Sequence, residues 1–235
     1  LQMDEIRRNQ MDARHAGRVL QIATVFEDVA VHGVKIGMVA TAEIAAAVAA
    51  ALRDEQQAGR LPPVVLDPVM VASTGARLLD DAAVETIIAQ LMPLATVVTP
   101  NTRELAVLTG EPVAEDRDAL LAQAEAVRAM GAAAVVAKGG HFPGDSSPDL
   151  LLSPGVDARW FEAPRIATAN THGTGCSLGS AVATQLGHGR PLAEAVAAAK
   201  AFVSGGIAAS DALSVGHGHG PIHHFHALYP TVEDG

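Results

Sequence analysis

The sequence has a single cysteine, few aromatic residues and more acidic than basic side chains. Cys176 is the only cysteine among 235 residues, so an intramolecular disulfide is excluded and an oxidising compartment is not indicated. Aromatic residues make up 3% of the chain, whereas 49% of the residues are hydrophobic, many of them Ala and Val. We therefore expect helices that pack closely around a sheet.

The shortage of basic residues argues against a nucleic-acid partner. The chain has 16 Lys and Arg against 26 Asp and Glu, a formal net charge of −10, and a phosphate backbone requires clustered Lys and Arg. A phosphate-bearing ligand would need a local site. The sequence also lacks a hydrophobic run of membrane-spanning length and a signal peptide, which predicts a soluble, cytoplasmic protein without a membrane partner.

Extended and helical patterns alternate along the chain. The predicted helices span about residues 12–29, 41–59, 81–91, 116–130, 175–186 and 192–213, and the predicted strands span about 34–38, 64–66, 95–99 and 133–137, followed by a hairpin of 149–152 and 159–162. Repeated strand–helix units favour an α/β fold, a mostly parallel central sheet with helices on both faces in three α/β/α layers. We find no linker or internal repeat, so the sequence predicts one domain over residues 1–235.

Polar and glycine-rich segments follow three of the predicted strands. They read DPVM at 67–70, PNTRE at 100–104 and KGGH at 138–141. Ligands of open parallel sheets bind outside the carboxyl ends of the strands. Three such segments in register predict a ligand site at this edge.

The segment NTHGTGC at 170–176 stands directly before a predicted helix. Two glycines allow the backbone to turn its N–H groups toward a ligand, and a helix N-terminus adds partial positive charge. This pattern predicts a phosphate cradle, although it matches neither a Walker A loop nor a Rossmann fingerprint. The alternative is a tight strand-to-helix turn without a ligand.

Cys176 falls in the first turn of that helix, a position that favours the thiolate form. It is a candidate general base for a substrate hydroxyl, or a residue that packs against the substrate. The alternative is a small buried residue.

Carboxylates and a lysine at the predicted edge suit a metal–phosphate site. Asn101 and Glu104 share a helix face and are candidates to hold Mg²⁺ through its waters, whereas the alternative is an ordinary acidic helix start. Asp67 is a second metal candidate or a turn residue. Lys138 is a candidate point charge on a transferring phosphoryl group or a solvated strand end.

The tail concentrates half of the ten histidines between residues 217 and 226. Imidazole is a common ligand of transition metals. Since no Cys or acidic residue lies within this cluster, a packed, hydrogen-bonded C-terminal segment is the preferred interpretation.

Together, these segments resemble a known family. NTHGTGC resembles the anion-hole motif of ribokinase-like enzymes, in which the last position is usually Asp, whereas Cys is typical of hydroxymethylpyrimidine/phosphomethylpyrimidine kinases. Further segments look like that family in order and spacing, over about residues 15 to 228: KIGM at 35–38, DPVM at 67–70, TPNTRE at 99–104, KGGH at 138–141 and the tail GHGHGPIHHFH.

The resemblance implies a ribokinase-like fold and two successive phosphoryl transfers from ATP with Mg²⁺. The acceptors would be 4-amino-5-hydroxymethyl-2-methylpyrimidine and its monophosphate, in thiamine biosynthesis. Met38, Val69 and Cys176 resemble the residues around the pyrimidine, and Glu104 matches the family's metal motif. The resemblance assigns catalytic, phosphate and nucleotide contacts to Asn101, Lys138, Gly139, Thr171, Gly173, Thr174, Gly175, Cys176, Lys200 and Val203.

One part of the family pattern is missing. Members normally begin with a strand and a segment like G-S-D-x-x-G-G-A-G-x-Q-A-D, followed by Q-N-T, and we find neither in residues 1–235. The resemblance therefore predicts one ribokinase-like domain without that N-terminal strand and Gly-rich segment. Unpaired polar groups of the pyrimidine would then cost about 1–3 kcal/mol each.

Two alternatives follow from these residues. A pyridoxal-type kinase would share the fold, although Cys176 and the tail argue against it. A non-catalytic nucleotide- or pyrimidine-binding remnant would explain the missing segment. Family members are often homodimers, so the resemblance also implies a second copy of the chain as partner.

Overall fold

The computed structural model describes residues 13–71, 77–140 and 142–229. The helices are α1 (Ala13–Asp28), α2 (Ala42–Gln57), α3 (Asp81–Thr86), α4 (Thr102–Thr109), α5 (Arg117–Ala129), α6 (Thr174–Gly187) and α7 (Leu192–Ala208). The strands are β1 (Val34–Ile36), β2 (Val64–Leu66), β3 (Val97–Val98), β4 (Val135–Lys138), β5 (Asp149–Leu152) and β6 (Arg159–Phe161). The predicted helix start at Asp12 and His141 of the KGGH segment lie outside the described residues.

The six strands form one sheet in chain order, β1 to β6. Strands β1 to β4 pair in parallel, whereas β5 and β6 complete the sheet as an antiparallel hairpin. Parallel neighbours need a crossover, and helices α2 to α5 supply these connections. The carboxyl ends of β1 to β4 therefore meet at one edge, which confirms the mostly parallel sheet that the sequence predicts.

Both faces of the sheet are covered by helices. Val64 and Leu66 of β2 belong to the core beneath α2 to α5, and Val65 between them belongs to the core beneath α6 and α7. Successive strand side chains point to opposite faces. A strand that is buried on both faces is therefore apolar throughout, and the three layers are those expected from the sequence.

Helix starts follow the capping chemistry of the sequence. Thr41 Oγ1 accepts a hydrogen bond from the Ile44 amide at 3.3 Å, and Asp116 Oδ1 accepts one from the Ala119 amide at 2.8 Å. These bonds satisfy amides that a helix leaves unpaired at its N-terminus. The first turns of α2 and α5 are therefore fixed locally.

Two predicted helices end early. The helix predicted over 81–91 is α-helical only to Thr86, continues as a π-helical turn and closes in a 3₁₀ turn that contains Pro93, which lacks the N–H needed to extend a helix. The helix predicted to reach residue 213 ends at Ala208. There the Gly206 carbonyl accepts the His223 amide at 2.8 Å, so the tail replaces a helical partner. Among the described residues no helix is long and apolar enough to cross a bilayer.

Candidate active site

Four charged side chains meet at the carboxyl edge of the parallel strands. Lys35 lies on β1, Asp67 directly follows β2, Glu104 lies in the first turn of α4, and Lys138 is the last residue of β4. Their positions along the chain differ by up to 103 residues (138 − 35). Parallel pairing of the strands brings them together.

Asp67 is the centre of this cluster. Its Oδ1 lies 2.8 Å from Lys138 Nζ and accepts a hydrogen bond from Thr99 Oγ1 at 3.3 Å, while Lys35 Nζ lies 3.2 Å from Oδ2. Only 1% of the Asp67 side chain is exposed. A buried carboxylate requires paired charges, and the two ammonium groups meet that requirement. The Lys35 contact is ionic, because Oδ2 has no aligned hydrogen-bond donor among the described residues.

Lys138 is shared by both carboxylates, since its Nζ also lies 3.8 Å from Glu104 Oε2. Burial disfavours the charged ammonium, but the nearby carboxylates of Asp67 and Glu104 outweigh it, so the pKa of Lys138 lies above its usual value. Burial raises the pKa of Glu104 above its usual value despite the opposing charge of Lys138. Lys138 is therefore a permanent positive charge at neutral pH.

Glu104 also builds the helix on which it lies. Asn101 Oδ1 accepts the Glu104 amide at 3.0 Å, and Glu104 Oε2 accepts the Asn101 amide at 2.7 Å. This reciprocal arrangement is a capping box. The acidic helix start considered from the sequence is thus present, and it places the Glu104 carboxylate beside Lys138. A metal role for Glu104 and Asp67 remains a prediction.

The NTHGTGC segment forms a cradle at the N-terminus of α6. Gly173 is the N-cap residue, and its φ of 84° lies in the left-handed region that favours glycine. Thr174 Oγ1 donates to the Thr171 carbonyl at 2.7 Å and closes the turn. A helix leaves its first N–H groups without intrahelical partners, and those of Gly175 and Cys176 belong to this set.

The cradle faces the charged cluster. A Cβ atom at residue 175 would lie 3.4 Å from Lys138 Nζ, and a Cβ at residue 179 would lie 3.3 Å from Lys35 Cε and 3.6 Å from Asp67 Cβ. Glycine at both positions lets α6 approach the cluster closely. The helix amides and the Lys138 ammonium therefore point to one location, which suits an anion such as phosphate.

The C-terminal tail is hydrogen-bonded to the segment that forms the cradle. The Gly220 amide donates to Asn170 Oδ1 at 3.0 Å, and the His172 amide donates to the Gly220 carbonyl at 3.1 Å. Asn170 Nδ2 also donates to Asp211 Oδ1 at 2.9 Å. The loop before α6 is thus tied to two later segments of the chain.

Three histidines of the tail are packed or hydrogen-bonded within the chain. His223 is buried, His224 Nε2 lies 2.7 Å from Ser177 Oγ, and His226 contacts the Phe202 ring with 5.3 Å between centroids. In the described part of the chain, no group of three or more His, Cys, Asp or Glu residues is arranged to hold a metal. The preferred interpretation of the tail agrees with this arrangement.

The three residues predicted to surround a pyrimidine do not line one common cavity. Met38 is 60% exposed and lines a groove of about 560 Å³ between β1, α1 and α2. Cys176 is exposed and lines a pocket of about 470 Å³ between α6 and α7. Val69 is half-buried beyond β2. The exposure of Cys176 excludes the small-buried-residue interpretation, whereas the pyrimidine contacts remain predictions.

Three predicted nucleotide contacts lie in the protein interior. Lys200 is buried and its Nζ lies 2.7 Å from Asp149 Oδ2, and Val203 packs beneath the sheet. The Gly139 amide donates to Asp149 Oδ1 at 3.1 Å and to the Pro148 carbonyl at 2.9 Å. This geometry favours internal roles for these groups. Direct nucleotide contacts of Lys200, Val203 and Gly139 remain predictions.

Sequence reasoning missed several members of the site. Lys35 is part of the KIGM segment, but its charge was given no role, and Thr99 and Asp149 were not considered. A lysine or carboxylate within or beside an apolar strand indicates a buried charge that has a partner, because such a group is rarely buried unpaired. The pairing itself was not visible from the sequence.

Comparison with known proteins identifies the family. The profile of the phosphomethylpyrimidine kinase family matches residues 15–223 of this chain. The chain belongs to that family. The match includes the charged cluster at the strand ends and the cradle before α6.

Two bacterial relatives illustrate the similarity. A hydroxymethylpyrimidine/phosphomethylpyrimidine kinase of Rhizobium meliloti is 48% identical over 206 residues, which cover 88% of this chain and 75% of the relative. The protein of the same name from Escherichia coli is 44% identical over 209 residues, which cover 89% and 77%. The resemblance to phosphomethylpyrimidine kinases read from the motifs is confirmed.

Solved structures show the same fold. Bacillus subtilis pyridoxal kinase in an ADP complex superposes with a TM-score of 0.79 at 32% identity, over 92% of this chain and 77% of that chain. Phosphomethylpyrimidine kinase from Clostridium difficile superposes with a TM-score of 0.65 at 32% identity, over 79% and 73%. The ribokinase-like fold expected of a phosphomethylpyrimidine kinase is confirmed.

Proposed function

We propose that this chain is a kinase that phosphorylates 4-amino-5-hydroxymethyl-2-methylpyrimidine and then its monophosphate, with ATP as donor, in thiamine biosynthesis. Membership of the phosphomethylpyrimidine kinase family supports this, as do the relatives named for both activities at 44–48% identity. The observation that carries the proposal is the close approach of Lys138 Nζ to the first turn of α6, 3.4 Å from the Cβ position at residue 175. It joins a fixed positive charge to a helix N-terminus.

The cradle and Lys138 stabilise the phosphoryl group while it is transferred from donor to acceptor. Negative charge spreads over its oxygens in the transition state, and preorganised donors stabilise such charge most effectively. The amides of Gly175 and Cys176 and the ammonium of Lys138 are fixed before the substrate arrives. We assign to Cys176 the removal of the proton from the attacking hydroxyl, because it is exposed at the cradle.

The donor set around Asp67 fits a magnesium ion. Asp67 Oδ2 is buried without an aligned hydrogen-bond donor among the described residues, and its ionic partner Lys35 Nζ, 3.2 Å away, would have to give way to the ion. Mg²⁺ is usually bound by one or two carboxylates together with substrate phosphates. Asp67 and Glu104 would hold it. The ion would neutralise charge on the β- and γ-phosphates.

Mass analysis of the products tests the proposal. The chain is incubated with MgATP and hydroxymethylpyrimidine, and we expect mono- and diphosphorylated pyrimidine. Absence of product together with measurable ATP binding would contradict the kinase activity and favour the binding-only alternative. Production of the monophosphate alone would limit the function to the first transfer.

Pyridoxal is the second candidate substrate. The observation in its favour is the TM-score of 0.79 with a pyridoxal kinase, against 0.65 with a phosphomethylpyrimidine kinase at the same 32% identity. Pyridoxal is therefore included in parallel. A higher kcat/KM for pyridoxal than for the pyrimidine would reverse the assignment.

Assembly and location complete the proposal. We assign the chain to a cytoplasmic homodimer. Members of this family are often homodimers, and no helix among the described residues is long and apolar enough to span a membrane. Sedimentation at micromolar concentration tests the dimer. A monomeric mass would overturn it.

A further inference from the structure

A second buried ion pair lies directly behind the charged cluster. Lys200 of α7 and Asp149 of β5 are 8% and 5% exposed, and Lys200 Nζ lies 2.7 Å from Asp149 Oδ2. Lys200 Nζ also donates to the Ser147 carbonyl. Burial raises the pKa of Asp149 above its usual value, although Lys200 opposes the shift. The pair links the helix layer to the end of the sheet.

Asp149 connects this pair to Lys138. The two residues are direct partners in the antiparallel pairing of β4 with β5. The other carboxylate oxygen of Asp149, Oδ1, accepts a hydrogen bond at 3.1 Å from the amide of Gly139, which is the residue next to Lys138. A Cβ at residue 139 would lie 2.3 Å from the Pro148 carbonyl oxygen, so the chain passes here without spare room. The turn that follows Lys138 is thus fixed by Asp149 together with the hydrogen bond from the Gly139 amide to the Pro148 carbonyl at 2.9 Å.

Arg165 fixes the loop beyond this turn. Its guanidinium donates to the carbonyls of Gly140, Phe142, Gly144 and Ser146. These four hydrogen bonds do not involve Lys200. The step from Lys138 to Gly139 is held by two acceptors of the Gly139 amide, Asp149 Oδ1 and the Pro148 carbonyl next to it in the chain.

A buried ion pair is weak evidence for stability, because an apolar replacement is often neutral or stabilising. Its fixed geometry, in contrast, defines where its neighbours lie. We propose that Asp149 and Lys200 are positioning residues of the phosphoryl-transfer site, which hold the Lys138–Gly139 turn so that the Lys138 ammonium faces the cradle. This inference rests on the proposed kinase function for its activity readout.

Asp149→Asn, Lys200→Met and the double variant test the proposal. A misplaced reacting group can lower rates by about 10²-fold, so we expect each single variant to lower kcat on the order of 10- to 100-fold, with the KM for the pyrimidine unchanged. The double variant should show a decrease in kcat no larger than that of the more impaired single variant, because all three variants disrupt the same ion pair. Lys200→Arg keeps the charge and donors and should restore kcat to within about threefold.

Glu55→Gln is the matched control. Glu55 is 6% exposed and its Oε2 accepts from Arg60 Nε at 2.9 Å, so the substitution also removes a buried carboxylate from an ion pair, but in α2 and its following loop. Glu55→Gln should lower the melting temperature and leave kcat unchanged. Unchanged kcat in Asp149→Asn and Lys200→Met would overturn the proposal. A higher KM for ATP at unchanged kcat in Lys200→Met would also overturn it, in favour of direct nucleotide contact.

Hydrogen exchange of the backbone separates this inference from the proposed function. Peptides that contain the Gly139 amide should exchange faster in Asp149→Asn and Lys200→Met than in Glu55→Gln. If the wild-type chain shows no turnover, the proposed function is contradicted. Hydrogen exchange alone then tests whether Asp149 and Lys200 hold the Lys138–Gly139 turn. Equal exchange in all variants would overturn the positioning role whatever the activity.

Discussion

At the scale of single residues, Asp67 organises the charges of the site. It faces two ammonium groups from two strands and one hydroxyl, at distances of 2.8 to 3.3 Å. The long side chains of Lys35 and Lys138 are thereby held in one arrangement before a ligand binds. Such preorganisation is what phosphoryl transfer requires of a protein.

Glu104 is predicted to contribute charge to metal binding beyond its structural role. In Glu104→Gln the amide oxygen still accepts from the Asn101 amide, so the capping box and α4 should persist. The carboxylate charge is lost, and the Mg²⁺ concentration at half-maximal rate should rise about tenfold. A Mg²⁺ titration of the initial rate measures this. The control is Asp80→Asn, which keeps the cap of α3. If the Mg²⁺ concentration at half-maximal rate changes equally in both variants, Glu104 does not contribute to metal binding.

Cys176 is predicted to act on the substrate hydroxyl. General-base catalysis contributes about 10²- to 10⁴-fold, so Cys176→Ser should lower kcat by at least about 10²-fold while the fold persists. Single-turnover phosphorylation of the pyrimidine measures the chemical step. Ala122→Ser, on the exposed face of α5, should leave it unaltered. A Cys176→Ser rate equal to that of the wild type would reduce Cys176 to a packing role.

At the scale of elements, the N-terminus of α6 and the end of β4 work as a unit. In Gly175→Val the branched side chain would enter the space beside Lys138 Nζ, which lies 3.4 Å from the Cβ position. We expect turnover to fall by about 10²- to 10³-fold, the effect of losing one preorganised donor. The circular dichroism spectrum should stay that of the wild type. Ala122→Val, which introduces a β-branched side chain on the exposed face of α5, is the control, and normal turnover in Gly175→Val would contradict the cradle.

Elements with local signals were predictable from the sequence. The strand Val64–Leu66 is apolar throughout because both faces are buried, and α2 begins at its Thr41 cap. The π-helical turn Ile87–Leu91 had no such signal, because its hydrogen bonds shift by one residue without a change in apolar pattern. Residues at positions 81–91 therefore looked like one helix.

The candidate site was predictable in its parts but not in its pairing. Glycines and charged residues after strands indicated Lys138, Asp67 and the cradle, since the strand ends of a parallel sheet share one edge. Which charges pair depends on the register and side-chain directions of separate strands. The buried Asp149–Lys200 pair joins residues 51 positions apart, and neither position carries a local pattern that names its partner.

At the scale of the whole molecule, ligand binding should stabilise the fold. A ligand at 100 times its Kd adds about 2.7 kcal/mol, and 1 kcal/mol shifts the melting temperature of a chain of this size by about 2–4 °C. A non-hydrolysable ATP analogue with Mg²⁺ should therefore raise Tm by roughly 5–10 °C. Differential scanning fluorimetry measures this. Gly175→Val should lose most of the shift, and an equal shift in that variant would place nucleotide binding away from the cradle.

The hydrogen bonds between Gly220 and the cradle also set the order in which the site is completed during synthesis. All of β1 to β4, with α2 to α5 between them, precedes residue 139, so that layer can form while the later chain is still being made. The cradle must wait for Asn170 and His172 to meet Gly220, which is translated 48 to 50 residues later. At a typical rate of 5–20 residues per second, this delay is about 2–10 s. In a nascent chain the cradle is therefore locked, at the earliest, seconds after its own residues have been translated.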